Sequence, residues 1–384
     1  MYLYNAEIFT ATGEIIKNGY VEITGRHITD VGEGEPSDMS FYDIDCNGGK
    51  LFPGFIDAHT HMGLFESGVG IEGEDCNEDS DPVTPDLRTI DGINPMDENF
   101  SVALSYGITT VATGCGSANP IGGDVIAIRT SGRYADEMLI KPVGIKFALG
   151  ENPKSVYSEK DSAPVTRMAT AAIIREALFK AKRYMEDKKK AIAENDDLPE
   201  YDAKCEALEP LLKKKIKAFF HCHKANDIMT AVRIAKEFDL DYSLVHCTEG
   251  HLIADVLGEQ RVRAAVGPVI SDKGKPELMG LSVKNAATLR ENGVSVSICT
   301  DHPEVPIQYL SLSAAIANKN GLSYEDSIKA ITRNAAKFCG IDDILGSIEK
   351  GKIADIVMFS ENPLGVEVKP TMVMVNGKII ERKE

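Results

Sequence analysis

The sequence has no apolar run of eighteen residues, so we expect no transmembrane helix. Its first residues lack the basic stretch and apolar core of a secretory signal, and we expect a cytoplasmic protein. Positive charge is scarce: 42 Lys and Arg stand against 59 Asp and Glu, a formal net charge of −17. This balance argues against nonspecific nucleic-acid binding and against docking on an anionic membrane.

Closely spaced cysteine pairs are also missing. The eight cysteines are scattered without a C-x-x-C pair, which favours buried free thiols in a reducing cytosol over a disulfide framework. Cys222 and Cys247 adjoin histidines inside apolar segments. Either could be a soft metal ligand, although the neighbouring histidines suit such a site better.

Histidines are few but clustered. Seven of the eight fall in four short segments: His59 and His61, His221 and His223, His246 and His251, and His302. Each segment follows a strand-like apolar run or lies inside one. Neutral imidazole is the commonest metal ligand, so the distribution predicts a metal site built from several strand ends. Hydrogen-bonded structural histidines are the alternative for a lone pair, and three further segments disfavour it here.

Residues 51–345 alternate strand-like runs with helical patterns, which is typical of a mostly parallel sheet. We predict an α/β fold, a (β/α)₈ TIM-like barrel whose chemistry lies at the carboxyl ends of the strands. The eight predicted strands are Leu51–Asp57, Thr109–Thr113, Val125–Ile128, Gly144–Leu149, Ala218–His221, Tyr242–His246, Ala264–Gly267 and Ser295–Thr300. The predicted helices include Glu98–Tyr106, Asp227–Phe238 and Ser323–Phe338.

The two ends of the chain have a different pattern. Residues 1–50 and 346–384 contain short strand-like runs, and Asn376-Gly377 is a strong hairpin signal. We predict that both ends form one small β-sandwich domain, with the barrel inserted between them. Within the barrel, the charged residues 164–216 predict a two-helix insertion, and the acidic, Gly-rich residues 63–97 predict a long loop that could act as a lid.

An acidic residue closes the last predicted strand. Asp301 follows the apolar run Ile298-Cys299-Thr300, where a carboxylate is costly unless it is paired, hydrogen-bonded or bound to a metal. Beside a metal-bound water it would be both ligand and proton acceptor. A helix N-cap is the alternative interpretation.

Several ordered motifs carry a resemblance along essentially the whole chain. Pro53 to His61 reads PGFIDAHTH, Gly107 to Val111 reads GITTV, and Gly346 to Val357 reads GSIEKGKIADIV. The sequence thereby resembles the amidohydrolase superfamily, close to its imidazolonepropionase-related group of metal-dependent hydrolases. The resemblance implies the ligand set His59, His61, His221, His246 and Asp301.

Three further histidines could assist the implied metal ligands. His223 stands one step beyond His221 and could bind substrate or polarise a carbonyl. His251 is a weaker substrate-binding candidate, and His302 could orient Asp301.

The resemblance also implies an anionic bridge where two metals are present. Lys146, inside an apolar strand, could serve after carboxylation, and Glu151, just past that strand, is an anion without modification. Both stay open, as does a one-metal site that uses neither. Zinc is the first expectation for a divalent metal, with iron and manganese as alternatives.

The Gly-rich segment 116–123 follows the second predicted strand. Its backbone amides, together with Asn119, could bind a substrate carboxylate or phosphate. It lacks the P-loop lysine and the G-x-G-x-x-G spacing, so a nucleotide site is disfavoured and a plain turn is the alternative.

The predicted activity is hydrolysis of a C–N bond in a small molecule by a metal-activated water: a cyclic amide, an N-acyl group or a peptide-like amide. Asp301 would move the proton, and the metal or His223 would stabilise the oxyanion. A deaminase on the same scaffold is the alternative, disfavoured because no Glu follows His221 closely. A non-catalytic scaffold protein is disfavoured because no ligand is missing. A homo-oligomer is compatible with the sequence.

Overall fold

The computed structural model describes residues 1–66, 68, 70–366 and 368–382, with the backbone alone for Glu381 and Arg382. Its strands are β1 (Tyr2–Phe9), β2 (Ile15–Thr24), β3 (His27–Glu33), β4 (Ile44–Asp45), β5 (Lys50–Pro53), β6 (Phe55–Thr60), β7 (Ile108–Gly114), β8 (Ile121–Arg129), β9 (Leu139–Ala148), β10 (Lys217–Cys222), β11 (Tyr242–His246), β12 (Arg263–Val266), β13 (Ser295–Ile298), β14 (Ile356–Phe359), β15 (Met372–Val375) and β16 (Lys378–Arg382).

The α-helices lie mostly in the connections between the barrel strands. They are α1 (Glu98–Ser105), α2 (Ala135–Met138), α3 (Glu151–Ser158), α4 (Arg167–Glu194), α5 (Ala203–Leu212), α6 (Ala225–Glu237), α7 (Ala254–Glu259), α8 (Asn285–Glu291), α9 (Leu310–Lys319), α10 (Tyr324–Ala330) and α11 (Arg333–Cys339). Across the described ranges, none of these helices combines the length and apolar character that crossing a bilayer requires.

One eight-stranded sheet runs in chain order from β6 to β13, and hydrogen bonds bring its two edges together. All eight predicted barrel strands are present in it, which confirms the predicted barrel-like α/β architecture. Their side chains are almost entirely buried, as both faces of a barrel sheet require.

A single strand departs from the parallel order. β8 pairs antiparallel with both β7 and β9, whereas the other neighbouring pairs are parallel. The connection between β7 and β8 is only residues 115–120. A parallel crossover needs a dozen or more residues, so this short connection forces the chain to turn back. The Gly-rich segment therefore lies at the end of the barrel where β7 ends.

The strands of both chain ends join in a second sheet. Its order is β16-β15-β14-β5-β1-β2-β3, with β4 beside β1. The predicted hairpin is confirmed, because β15 and β16 pair antiparallel around Asn376-Gly377. The hydrogen bonding describes one continuous sheet, so the predicted sandwich is not confirmed, and the division into two domains stays a prediction.

The first predicted barrel strand is divided at Gly54. Residues before it form β5, which pairs with β14 of the second sheet, and residues after it form β6 of the barrel. A Cβ at Gly54 would lie 2.2 Å from Oγ1 of Thr109, so the close approach of β7 requires glycine here.

The segment predicted as a helical insertion lies in the crossover between β9 and β10. It consists of the 28-residue helix α4 and the shorter α5. Thr166 and Asp202 cap the two helices by accepting the backbone N–H groups of Ala169 and Cys205.

Candidate metal centre

The predicted ligands all lie where a barrel strand ends. His59 and His221 are the second-last residues of β6 and β10, His246 is the last residue of β11, and Asp301 follows β13 by three residues. Since these strands point in the same direction, their carboxyl ends meet at one mouth of the barrel.

Asp301 joins the first histidine pair. Its Oδ1 lies 3.3 Å from Nε2 of His59 and 3.4 Å from Nε2 of His61. This oxygen is buried and makes no directional hydrogen bond to the described residues. The backbone N–H of Asp301 donates to His59 O (3.1 Å), and that of His61 donates to His302 O (2.8 Å). The two edges of the barrel sheet therefore meet at this cluster.

Backbone carbonyls fix the rings of two histidines. Nδ1 of His61 lies 2.8 Å from Gly114 O, and Nδ1 of His246 lies 2.8 Å from Gly267 O. Because a carbonyl oxygen only accepts, each Nδ1 carries a proton, and each Nε2 keeps a lone pair when the ring is neutral. A metal-binding imidazole needs this arrangement.

A second cluster adjoins the first. The ligand atoms of His221, His223 and His246 lie within 4.8 Å of one another, and those of His59, His246 and Asp301 do the same. His246 therefore belongs to both groups. Its ring stacks on that of His223, with centroids 4.4 Å apart.

Burial sets the charge state of most of these groups. It lowers the pKa of His59 and His223 to about 3, and it lowers the pKa of His221 and His246 well below the usual value. Burial alone would raise the pKa of Asp301, but the neighbouring histidines, His246 first, hold it well below its usual range. The centre thus offers neutral imidazoles and an ionised carboxylate.

His61 differs from the other histidines. Burial lowers its pKa, but the sulfur of Cys76 and the carboxylate of Asp301 outweigh burial and raise the pKa to about 10. His61 would therefore release a proton when it binds a metal. Cys76 comes from the long loop 63–97 and lines the same cleft.

The backbone is strained at two of the predicted ligands. φ is +71° at His246 and +57° at Asp301, a region that non-glycine residues seldom adopt. Such strain is typical of functional sites, where the surrounding structure holds a side chain in a required direction.

Of the two candidates for an anionic bridge, Lys146 lies beside the cluster. Its side chain is 1% exposed, and Nζ lies 3.0 Å from Nε2 of His59. Burial lowers the pKa of this amine. Glu151 begins α3, and its Oε2 accepts the backbone N–H of Glu277 (3.1 Å).

Glu277 is a buried carboxylate at the centre that the sequence analysis missed. It lies in a short 3-10 turn, Pro276–Leu278, in the long connection after β12. Its Oε1 lies 3.7 Å from Nε2 of His223 and 4.0 Å from Nε2 of His221. The only available signal was an acidic residue between Pro276 and Leu278 in a connection that follows a barrel strand.

Two predicted substrate-binding residues lie outside the lining of the cleft. The amide of Asn119 donates to Glu78 O (2.7 Å) and accepts from the hydroxyl of Tyr157 (2.6 Å), so it ties the loop 63–97 to α3. His251 lies in a 3-10 turn next to α8, where its backbone N–H donates to Asn285 (2.9 Å). Their substrate roles stay predictions. The predicted role of His302 in orienting Asp301 also stays a prediction, and its ring nitrogens are buried without a hydrogen-bond partner among the described residues.

The two cysteines considered as soft ligands are buried thiols. The thiol of Cys222 donates to Phe220 O (3.5 Å). Burial raises the pKa of Cys247 to about 12 and that of Cys222 well above the usual value. Since the thiolate is the metal-binding form, this environment disfavours either sulfur as a ligand.

A cleft of about 270 Å³ opens onto the centre. Its walls come from the strand ends, from the Gly-rich segment and from the loop 63–97, of which Ser67 and Val69 lie outside the described residues. The lining residues include Phe65, Cys76, Asn77, Ser117, Asn152, Lys275 and Glu304. The volume suits a small molecule, and the predicted function of the loop as a lid stays a prediction.

The donor set fits a divalent metal, because imidazoles surround a carboxylate whose inner oxygen makes no directional hydrogen bond to the described residues. Residues 51–380 match the model of the amidohydrolase family. The chain belongs to this family. The amidohydrolase is accordingly a hydrolase, of a family that is typically metal-dependent, with a His/His/Asp-type site.

Three comparisons illustrate its relatives. The amidohydrolase is 30% identical over 367 residues to amidohydrolase tasK of Hapsidospora irregularis, covering 89% of this chain but only 37% of tasK. It is 24% identical over 347 residues to imidazolonepropionase of Brucella suis, covering 83% of this chain and 80% of that protein. The crystal structure of an amidohydrolase from Thermotoga maritima MSB8 shares 40% identity, with a TM-score of 0.95 over the whole of both chains.

Proposed function

We propose that this amidohydrolase hydrolyses a C–N bond in a small molecule: a cyclic amide, an N-acyl group or a peptide-like amide. The observation that carries the proposal is the position of Asp301 Oδ1 between Nε2 of His59 and Nε2 of His61, without a directional hydrogen bond to the described residues. The relation to imidazolonepropionase supports cleavage of a C–N bond in a ring.

The proposed metal is zinc, which imidazole and carboxylate ligands suit. His59, His61 and Asp301 would hold it in one half of the centre, and His221 and His246 would hold a second ion in the other half. When bound, the metal supplies a water of lowered pKa and polarises a carbonyl oxygen. Lys146 is the proposed bridge after carboxylation, because its amine lies next to His59 and burial lowers its pKa.

The proton path is proposed to run through Asp301. Its carboxylate is ionised and buried at the mouth of the barrel, so it can accept a proton from water and return it to the leaving nitrogen. His223 faces the same cleft and would stabilise the oxyanion, either directly or through a bound cation.

Metal analysis and a substrate screen test the proposal together. Protein purified after growth with zinc should carry at least one zinc ion per chain. The screen should include cyclic amides, N-acyl amino acids and dipeptides, with aminopurines and aminopyrimidines as deaminase substrates. Hydrolysis of an amide supports the proposal, release of ammonia from the second group would favour a deaminase, and a chain that binds no divalent metal contradicts both.

Replacement of Asp301 is the sharper test. Asp301→Asn removes the proton acceptor and should lower kcat by a factor on the order of 10²–10⁴. Glu176→Gln, on the exposed side of α4, makes the same charge change away from the cleft and should leave kcat unchanged. If Asp301→Asn kept near-native kcat, the proton-transfer role would be wrong.

A further inference from the structure

Glu277 and Glu151 form a reciprocal pair of hydrogen bonds, each between a backbone N–H and a carboxylate oxygen. The backbone N–H of Glu151 donates to Oε2 of Glu277, and the backbone N–H of Glu277 donates to Oε2 of Glu151, both at 3.1 Å. Glu277 is 1% exposed. The start of α3 and a 3-10 turn far from it in the chain thus position one buried carboxylate.

The other oxygen of Glu277 has no hydrogen bond. Oε1 is buried and makes no directional hydrogen bond to the described residues. Nε2 of His221 is likewise buried and has no hydrogen-bond partner among them. These two atoms are 4.0 Å apart, and Nε2 of His223 lies 3.7 Å from the same oxygen. A buried carboxylate oxygen without a hydrogen bond is costly unless positive charge lies beside it, so this convergence favours a cation.

The spacing suits a cation. Zinc binds nitrogen and oxygen ligands at about 2.0–2.2 Å, so tetrahedral ligands around one ion lie roughly 3.3–3.6 Å apart. The distances from Oε1 to the two imidazole nitrogens exceed this spacing by a few tenths of an ångström. Small side-chain rotations would bring all three atoms onto one ion.

Lys275 shows that this position attracts positive charge. Its Nζ lies 3.1 Å from Oε1 of Glu277 and 3.2 Å from Oδ1 of Asn152. The side chain of Lys275 is 39% exposed and has room to turn into the cleft, whereas that of Glu277 is only 1% exposed. A lysine has a single charge, and it makes no directional hydrogen bond to Oε1.

We propose that Glu277 is a ligand of a divalent cation that it binds together with His221 and His223. The second half of the centre then has a carboxylate of its own, contributed by the connection after β12. In this arrangement His223 acts on the substrate carbonyl through the cation it helps to bind. The inference rests on the proposed function, since it adds a ligand to the same metal centre.

Cobalt binding to the apo-protein tests the proposal without a substrate. Metal-free wild type and Glu277→Gln are each titrated with Co²⁺, following the visible absorption bands and the bound metal per chain. Glutamine keeps an oxygen for the N–H of Glu151 but removes the charge. We expect the variant to lose one Co²⁺ per chain, or to bind it at least 100-fold more weakly, with altered absorption bands.

Lys275→Met is the matched control. If Glu277 is a ligand, Lys275→Met should bind the same number of Co²⁺ ions per chain as wild type. It should also bind the second ion at least as tightly as wild type does. If both variants weaken binding equally, or if Glu277→Gln loses only about tenfold with unchanged bands, Glu277 acts by charge or position and the proposal is overturned.

Further measurements distinguish a failure of the Glu277 proposal from a failure of the proposed metal-dependent function. Equal thermal unfolding of the metal-free proteins shows that Glu277→Gln folds. Wild type that binds no Co²⁺ contradicts the proposed function itself. Unchanged Co²⁺ binding by Glu277→Gln overturns the inference alone and leaves metal-dependent hydrolysis standing.

Discussion

At the scale of single residues, Lys146 and Glu151 differ in what surrounds them. The amine of Lys146 is enclosed next to His59, where an ammonium would repel a bound cation. One oxygen of Glu151 already accepts the backbone N–H of Glu277. The environment of Lys146 therefore favours conversion of its amine to an anion, whereas Glu151 already accepts a structural hydrogen bond.

Substitution of the two residues distinguishes these roles. Lys146→Ala removes the amine beside His59 that carboxylation could convert to an anion, so it should lower bound zinc from two ions to one per chain. Glu151→Gln keeps an oxygen for the N–H of Glu277 and should leave zinc content unchanged. Bound metal per chain, measured after purification with bicarbonate, decides between them.

The opposite pattern identifies the other bridge. If Lys146→Ala kept its zinc and Glu151→Gln lost half, the glutamate would be the bridging ligand. Partial recovery of zinc when short carboxylic acids are added to Lys146→Ala would further support a missing anion.

The sequence allowed the convergence of the candidate ligands to be predicted, because His59, His221 and His246 each close an apolar run and such ends meet in a barrel. Glu277 could not be predicted in this way. Its position depends on hydrogen bonds to Glu151 between two loops whose conformations are set by tertiary packing. Nothing in the local pattern around Glu277 records that contact.

At the scale of elements, the structure divides a helix that the local pattern predicted as continuous. The predicted helix Ser323–Phe338 is α10 and α11, interrupted at Ile331-Thr332. Ile331 O accepts the backbone N–H of Ile56 in β6 (2.8 Å), so the barrel uses a carbonyl that a continuous helix would occupy. Helical periodicity continues across the break, which is why the sequence did not reveal it.

The carboxyl end of α11 is stabilised by a buried lysine from β10. Nζ of Lys217 donates to the carbonyl oxygens of Lys337 and Phe338, which a helix end leaves without partners. Burial lowers the pKa of Lys217 to about 8. The ammonium therefore favours the helix end through these contacts but is costly to bury.

This balance predicts a pH dependence of stability. Between pH 8 and the ordinary lysine pKa of 10.5, the folded chain has released the proton of Lys217 while the unfolded chain still binds it. Raising the pH through this window therefore disfavours unfolding. We therefore compare the free energies of unfolding of wild type and Lys217→Met by denaturant unfolding at several pH values. The value for wild type minus that for the variant should rise by up to about 3 kcal/mol across this window.

Lys215 provides the control for this effect. It is exposed and lies two residues before Lys217, so Lys215→Met should show no such difference between pH 8 and 10.5. A constant difference between wild type and Lys217→Met across that range would mean that Lys217 does not titrate there.

At the scale of the whole molecule, two buried contacts join the barrel to the sheet of the chain ends. Phe52 and Phe359 of that sheet pack with Phe55 of the barrel, and the rings of Phe55 and Phe359 stack with centroids 5.6 Å apart. Arg129, at the end of β8, forms a buried ion pair with Asp355, just before β14. Since β5 leads directly into β6, these contacts lie beside the strand that begins the metal centre.

The ion pair gives the last prediction. Arg129→Met leaves Asp355 buried with its side chain 2% exposed, and burial already raises the pKa of this carboxyl despite the guanidinium of Arg129. Removing one partner of such a pair costs about 3–5 kcal/mol, so the free energy of unfolding should fall by that amount. Arg133→Met, which breaks an exposed pair with Glu137 four residues along the chain, should destabilise the fold far less, because solvent screens that pair. Denaturant unfolding of the metal-free proteins compares them, and equal losses in the two variants would show that the buried pair does not hold the two sheets together.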